Sequence, residues 1–201
     1  MNVTVLKTGV FVLSAVPAAK LLLDAFGVAG LSLGANPVES LLHRAGWWGL
    51  TFLLITLAVT PLRNLVGMTS LIRVRRMLGL YAFFYLTLHL LTYIVLDQGL
   101  APGPIIEDII KRPYITIGIT GFILLLPLAL TSNDASRRKL KKRWTTLHKL
   151  IYPIAILGVW HFWWQVKKDI AEPLIFAAIL ALLLGYRLVK FRQRRVRRHD
   201  A

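Results

Sequence analysis

Long apolar runs separated by short charged segments dominate the chain. Six of them approach the ~20 residues that a helix needs to cross a hydrocarbon core of ~30 Å. They cover roughly residues 8–26, 46–66, 77–97, 114–131, 146–165 and 172–190. Pro17, Pro61, Pro127 and Pro153 fall inside these runs. Membrane helices tolerate such prolines because neighbouring groups satisfy the freed carbonyls. The pattern predicts an all-α fold, a polytopic six-helix transmembrane bundle forming one domain over residues 1–201. No sequence repeat or low-complexity tract is visible. The loops are short, so a substrate-binding domain would have to come from another chain.

Charge refines this picture. The chain is 56% hydrophobic and 17% charged, with a mean hydropathy of +0.62, whereas soluble domains carry about 25% charged residues. A net charge of +16 in a soluble chain would point to nucleic acid. Here the cations sit between apolar runs, so a charge bias across a membrane explains them and no nucleic-acid partner is expected. Nineteen of the twenty-five lie on one side: Lys7, four within 63–76, seven within 137–149, and seven in the tail from Arg187. Arg44, Lys111, Arg112, Lys167 and Lys168 lie on the other, and Lys20 falls inside the first run. Both termini are therefore predicted to be cytoplasmic. The opposite face also holds Glu39, Asp97, Glu107, Asp108, Asp169 and Glu172. It is close to neutral, which suits a protein partner.

The N-terminal run after Lys7 partly resembles a signal peptide, but it continues through Leu21–Leu23 and Phe26 and reads as a first membrane helix. The absence of cysteine excludes disulfides, thiolate haem ligation, iron–sulfur clusters and thiol catalysis. No glycine-rich nucleotide loop or HExxH motif is present.

The candidate chemistry lies in histidines. His148 and His161 belong to the stretch Trp144–Trp164, and His89 to the third run. Ionisable groups at membrane depth are costly and mark function by default. His89 lies thirteen residues beyond Arg76, about 20 Å along a helix, and His161 lies at a similar depth in the fifth run. Two neutral imidazoles facing each other across a bundle suit the iron of a haem b. The competing reading is that each histidine hydrogen-bonds a neighbouring helix. His148 falls near the cytoplasmic edge and out of phase with His161. An inner haem, a flavin, a quinone or a structural contact all remain open for it. Arg75 and Arg76 stand where a matching inner histidine would be, and would pair with a propionate or a flavin phosphate. Glu39, His43 and Arg44, beside Trp47 and Trp48, form either an interfacial cap or a contact for a redox partner or quinone. Lys20 and Asp24 read as a snorkelling pair. His199 in the basic tail reads as solvated. A haem-free transporter or assembly factor is the alternative of a different class, although no inverted repeat supports it.

An ordered set of short motifs spans nearly the whole chain. It comprises Gly34–Glu39, His43–Gly46, Thr60–Arg63, Arg75–Tyr81, His89, Lys111–Tyr114, Pro127–Ser132, Trp144–His148, Tyr152 and His161–Phe162. In this the chain resembles the MsrQ (YedZ) family, haem-binding membrane subunits with a ferric-reductase-like transmembrane fold. The resemblance implies b-type haem, one or two per chain, and FMN, with haem-associated histidines at His89, His148 and His161. It further implies a bacterial inner-membrane location and electrons taken from the quinone pool or a cytoplasmic flavin reductase. The acceptor would be MsrP, a periplasmic molybdopterin enzyme that reduces protein methionine sulfoxide. On this reading the chain is the electron-transfer subunit of an oxidoreductase and has no substrate-reducing site of its own. A self-contained ferric or quinone reductase of the same fold is the closest alternative.

Overall fold

The computed structural model describes residues 2–30, 32–166 and 169–199. Lys167 and Lys168, counted above among the outer cations, lie outside the described residues. All regular structure in it is helical: α1 (Val3–Ala25), α2 (Pro37–Val66), α3 (Arg75–Leu91), α4 (Pro102–Lys111), α5 (Pro113–Leu130), α6 (Asp134–Leu140), α7 (Lys142–Leu147), α8 (Ile151–Gln165) and α9 (Ala171–His199). A π-helical segment, Thr92–Asp97, extends α3.

Five elements are long and apolar enough to cross a membrane: α1, α2, α3 with its extension, α5 and α9 up to Gln193. The fifth predicted span is interrupted. A 3-10 turn at His148–Leu150 separates the six residues of α7 from the fifteen of α8. Pro153 in the first turn of α8 lacks the N–H that would continue the ladder into α7. The six-helix architecture stands, with one crossing built from two pieces.

Local signals set the helix ends. Asn2, Asn36 and Asn133 cap α1, α2 and α6 with their side chains. Gly67 ends α2 in the left-handed region, where a residue without Cβ carries no penalty.

The elements pack as two antiparallel hairpins, α2 with α3 and α5 with α8. Contacts between α3 and α5 and between α2 and α8 join them, α1 lies along α2 and α3, and α9 along α8 and α2. The shared core includes Leu53, Leu57, Leu78, Ala82, Tyr85, Leu125, Leu128, Ile154 and Ala155. The outward faces remain apolar: Leu13, Ile123 and Leu182 are more than half exposed. Contiguous apolar surface of this kind belongs against lipid tails.

Polar ties hold α1, among them the Tyr81 hydroxyl, which donates to the Phe11 carbonyl at 3.0 Å. Pro17 interrupts the hydrogen-bond ladder of α1, and the buried hydroxyl of Tyr85 enters the gap. The hydroxyl accepts from the Ala18 N–H at 2.9 Å and donates to the Ser14 carbonyl at 2.7 Å, the pair that an unbroken helix joins directly. Near the other end, the buried Asp24 carboxylate meets Arg44 at 2.6 Å as well as Lys20 at 3.0 Å. The predicted Lys20–Asp24 pair is thus one half of a three-residue tie between α1 and α2.

Candidate functional site

The two hairpins enclose a cleft of about 220 Å³ at the end of the bundle where α4 lies. By the same measure one water needs only ~10–15 Å³. A void of that size between packed helices is far larger than side chains normally leave. Its walls are largely apolar, with Leu50, Leu86, Phe122 and Phe162 among them, and His89 and His161 project from opposite hairpins.

The two imidazoles are brought together with ring centroids 6.0 Å apart and planes inclined by 77°. Each is anchored through Nδ1. His89 Nδ1 lies 2.9 Å from the Leu42 carbonyl, and His161 Nδ1 lies 2.7 Å from the Tyr114 carbonyl. A carbonyl only accepts, so Nδ1 carries the proton in both rings. The unprotonated nitrogen is then Nε2, the one available to a metal. A backbone carbonyl behind a histidine is the usual outer support of a metal ligand, because it sets both tautomer and orientation.

Each ring also rests on a glycine. A Cβ at Gly46 would lie 2.9 Å from His89 Nδ1, and one at Gly118 would lie 2.9 Å from His161 Nδ1. Both histidine-to-carbonyl contacts span 47 residues. Leu42, Gly46, Gly49, Leu53 and His89 correspond, at one constant shift of 72 positions, to Tyr114, Gly118, Gly121, Leu125 and His161. The two hairpins therefore present the same local unit twice, although no repeat is visible in the sequence. Side chains differ at almost every other position, and only backbone geometry exposes the correspondence.

This arrangement fits an iron held by two histidines. A metal about 2 Å from each nitrogen places the ring centroids about 6 Å apart. The two glycines give the rings their places, and the cleft beside them has room for a flat macrocycle.

The mouth of the cleft is polar. Tyr93, four residues after His89, donates to Asp108 at 3.1 Å, and the Asp108 carboxylate also holds the Arg112 Nε at 3.1 Å. The Tyr114 side chain and Asp108 raise the Arg112 pKa above its ordinary value. Gln165, four residues after His161, donates to His43 Nε2 at 3.1 Å. Glu39 lies 3.9 Å from His43 on the exposed surface. Arg44 turns away from the mouth to Asp24. Of the three residues predicted at this surface, only His43 lines the cleft. Sequence reasoning missed Asp108 and Arg112 as site residues because a loop and a short helix separate them from both histidines.

His148 lies at the opposite, cation-rich end and in a different setting. Its ring stacks on Trp144 at 3.9 Å, and its Nε2 contacts Thr131 Oγ1 at 3.0 Å. Thr131 donates its only hydroxyl proton to the Pro127 carbonyl at 2.6 Å. It can then only accept from His148, whose proton sits on Nε2. This is the opposite tautomer to His89 and His161. Arg75 is half-buried and within electrostatic reach of His148, Tyr152 and Arg187. Arg76 is exposed and pairs with Asp134 at 2.8 Å.

Comparison with known proteins agrees with this architecture. Residues 45–159 match the family model described as ferric reductase like transmembrane component. A relative from Xanthomonas campestris pv. campestris (strain 8004) is 56% identical over 172 residues, 85% of this chain and 79% of the relative. One from Rhodospirillum rubrum is 55% identical over 167 residues, covering 83% and 80%. One from Xanthomonas oryzae pv. oryzae (strain MAFF 311018) is 57% identical over 159 residues, covering 79% and 73%. All three are named protein-methionine-sulfoxide reductase heme-binding subunit MsrQ. No solved structure matches the chain. With matches of this extent resting on a helical membrane bundle and a paired-histidine cleft, the chain belongs to the MsrQ family of ferric-reductase-like transmembrane proteins.

Proposed function

We propose that the chain is a transmembrane electron carrier, the haem b subunit of a protein-methionine-sulfoxide reductase system. The observation that carries this reading is the His89–His161 pair, with Nδ1 of each ring held by a carbonyl and Nε2 left for iron. Bound between them, the haem supplies one-electron chemistry. The chain's own residues hold the rings at a fixed separation, exclude water with an apolar wall and confine polar groups to the mouth.

Direction follows from charge. The cation-rich end, with both termini, faces the cytoplasm, and the α4 end faces the periplasm of a bacterial inner membrane. The donor side is then the end holding Arg75, Arg76 and His148, where the quinone pool or a cytoplasmic flavin reductase delivers electrons. We assign an FMN to this end, where Arg75 and Arg76 offer positive charge to a phosphate. The acceptor is MsrP, the periplasmic molybdopterin reductase, meeting the surface formed by Glu39, His43 and α4. Repair of oxidised periplasmic methionine is the outcome, and reduction of the sulfoxide takes place on the partner.

The test is spectroscopic. The purified full chain should show a reducible low-spin b-type spectrum. H89A and H161A should each lose it. An unchanged spectrum in both variants would refute the ligand assignment.

A further inference from the structure

The mouth of the cleft contains a feature that histidine ligation leaves unused. Arg112 is the only lysine or arginine lining the cleft among the described residues. Its Nε edge is committed to Asp108, whose carboxylate is buried and also accepts from Tyr93. With Nε held by Asp108 and the Tyr114 side chain as a second partner, the guanidinium is fixed in orientation while N–H donors remain on its terminal nitrogens. It stands between the two halves of the site. Tyr93 follows His89 by one helical turn, and the Tyr114 backbone carries the carbonyl that holds His161. Asp108 thus fixes one positive fork at the mouth of a cleft that is apolar in its depth, where the exposed Asp97 is the one carboxylate in the lining among the described residues.

We propose that Arg112 binds a carboxylate of the cofactor at the mouth of the cleft, and that Asp108 is the residue that positions it. This rests on the haem reading above. Haem b is an apolar disc with two propionates on one edge. The cleft is apolar in its depth and carries its one fixed cation at the opening. An arginine fork binds a carboxylate with two parallel hydrogen bonds, and such charge-assisted bonds are stronger than neutral ones. Seating the propionate edge at Arg112 fixes which edge of the disc faces the α4 end.

A comparison of two cofactors tests the proposal. The full chain is produced without haem, purified in detergent and titrated with haem b or its dimethyl ester, which lacks the propionate charges. R112Q should weaken haem b about tenfold, the usual scale of one lost charge-assisted contact. It should change binding of the ester by less than twofold. R112K should fall between the two, and D108N should move in the same direction as R112Q. Equal weakening of both cofactors by R112Q, or weakening of neither, would overturn the proposal. Normal binding of the ester by R112Q also reports that the variant has folded. If the unaltered chain forms a low-spin complex with neither cofactor, the haem reading itself fails.

Discussion

Gly46 forms the floor beneath the His89 ring. A Cβ there would lie 2.9 Å from Nδ1 and 3.1 Å from Cε1. That is closer than packed atoms tolerate, so G46A must displace the imidazole from the Leu42 carbonyl. Gly118 stands in the same relation to His161. Both G46A and G118A should therefore lower haem occupancy severalfold in purified protein. G79A is the control: it lies outside the cleft lining, its Cβ would meet only Thr56, at an ordinary 3.6 Å, and occupancy should hold. Pigment-to-protein ratios of the three variants check this.

His148 should behave differently from the other two histidines. Its proton sits on Nε2 and its ring is bound by Thr131 and Trp144, far from the paired site. H148A should leave the low-spin signal of the His89–His161 pair in place and slow reduction from the cytoplasmic side at least tenfold. Stopped-flow reduction by a quinol or a reduced flavin, with the spectrum recorded in parallel, separates the two effects. Loss of the spectrum in H148A would contradict this division of roles.

Tyr85 should be a stability residue. Y85F deletes a buried hydroxyl that serves both the Ala18 N–H and the Ser14 carbonyl. Pro17 removes a rung of the same helix, so α1 has little capacity to compensate. The expected cost is roughly 1–2 kcal/mol, read as a lower midpoint of thermal unfolding in detergent. The haem spectrum at low temperature should be unchanged.

The Asp24 cluster gives an asymmetric pair of outcomes. D24N removes the buried charge and leaves Lys20 and Arg44, both substantially exposed, to turn toward headgroups. Its cost should be about 1–2 kcal/mol, reduced by that exposure. The double variant K20A/R44A leaves a buried carboxylate without a cation. It should cost more, on the order of 3 kcal/mol. Unfolding midpoints of the two variants, compared side by side, decide the order.

Much of this architecture was legible in the sequence because membrane crossing imposes a length and an apolar composition on each segment. The depth match of His89 and His161 was legible for the same reason: helical rise converts residue number into height. What supports the rings was not legible. The Leu42 and Tyr114 carbonyls belong to backbone, which any residue supplies, and the glycines matter only through the ring pressed against them. The Asp24–Arg44 contact crosses from α1 to α2 over twenty positions, beyond any helical spacing rule. Pro153 marks a weak point in its run, but the 3-10 turn at His148–Leu150 that makes the break depends on packing the sequence does not spell out. Asp108 and Arg112 stand in the sequence only as separate charges of the outer face, and it is the fold that pairs them at the mouth.

The constant shift between the two halves bears on how such a site comes into being. Each histidine takes its carbonyl and its glycine from its own hairpin: Leu42 and Gly46 from α2 for His89 on α3, and Tyr114 and Gly118 from α5 for His161 on α8. Neither ring needs the other half in order to be aimed. Each hairpin can insert into the bilayer with its ligand already oriented. The shared core then joins the two hairpins, and an iron bound by both rings would be a rivet added across leaves that already touch along the α2–α8 and α3–α5 seams. Its removal should loosen those seams first while leaving each leaf intact.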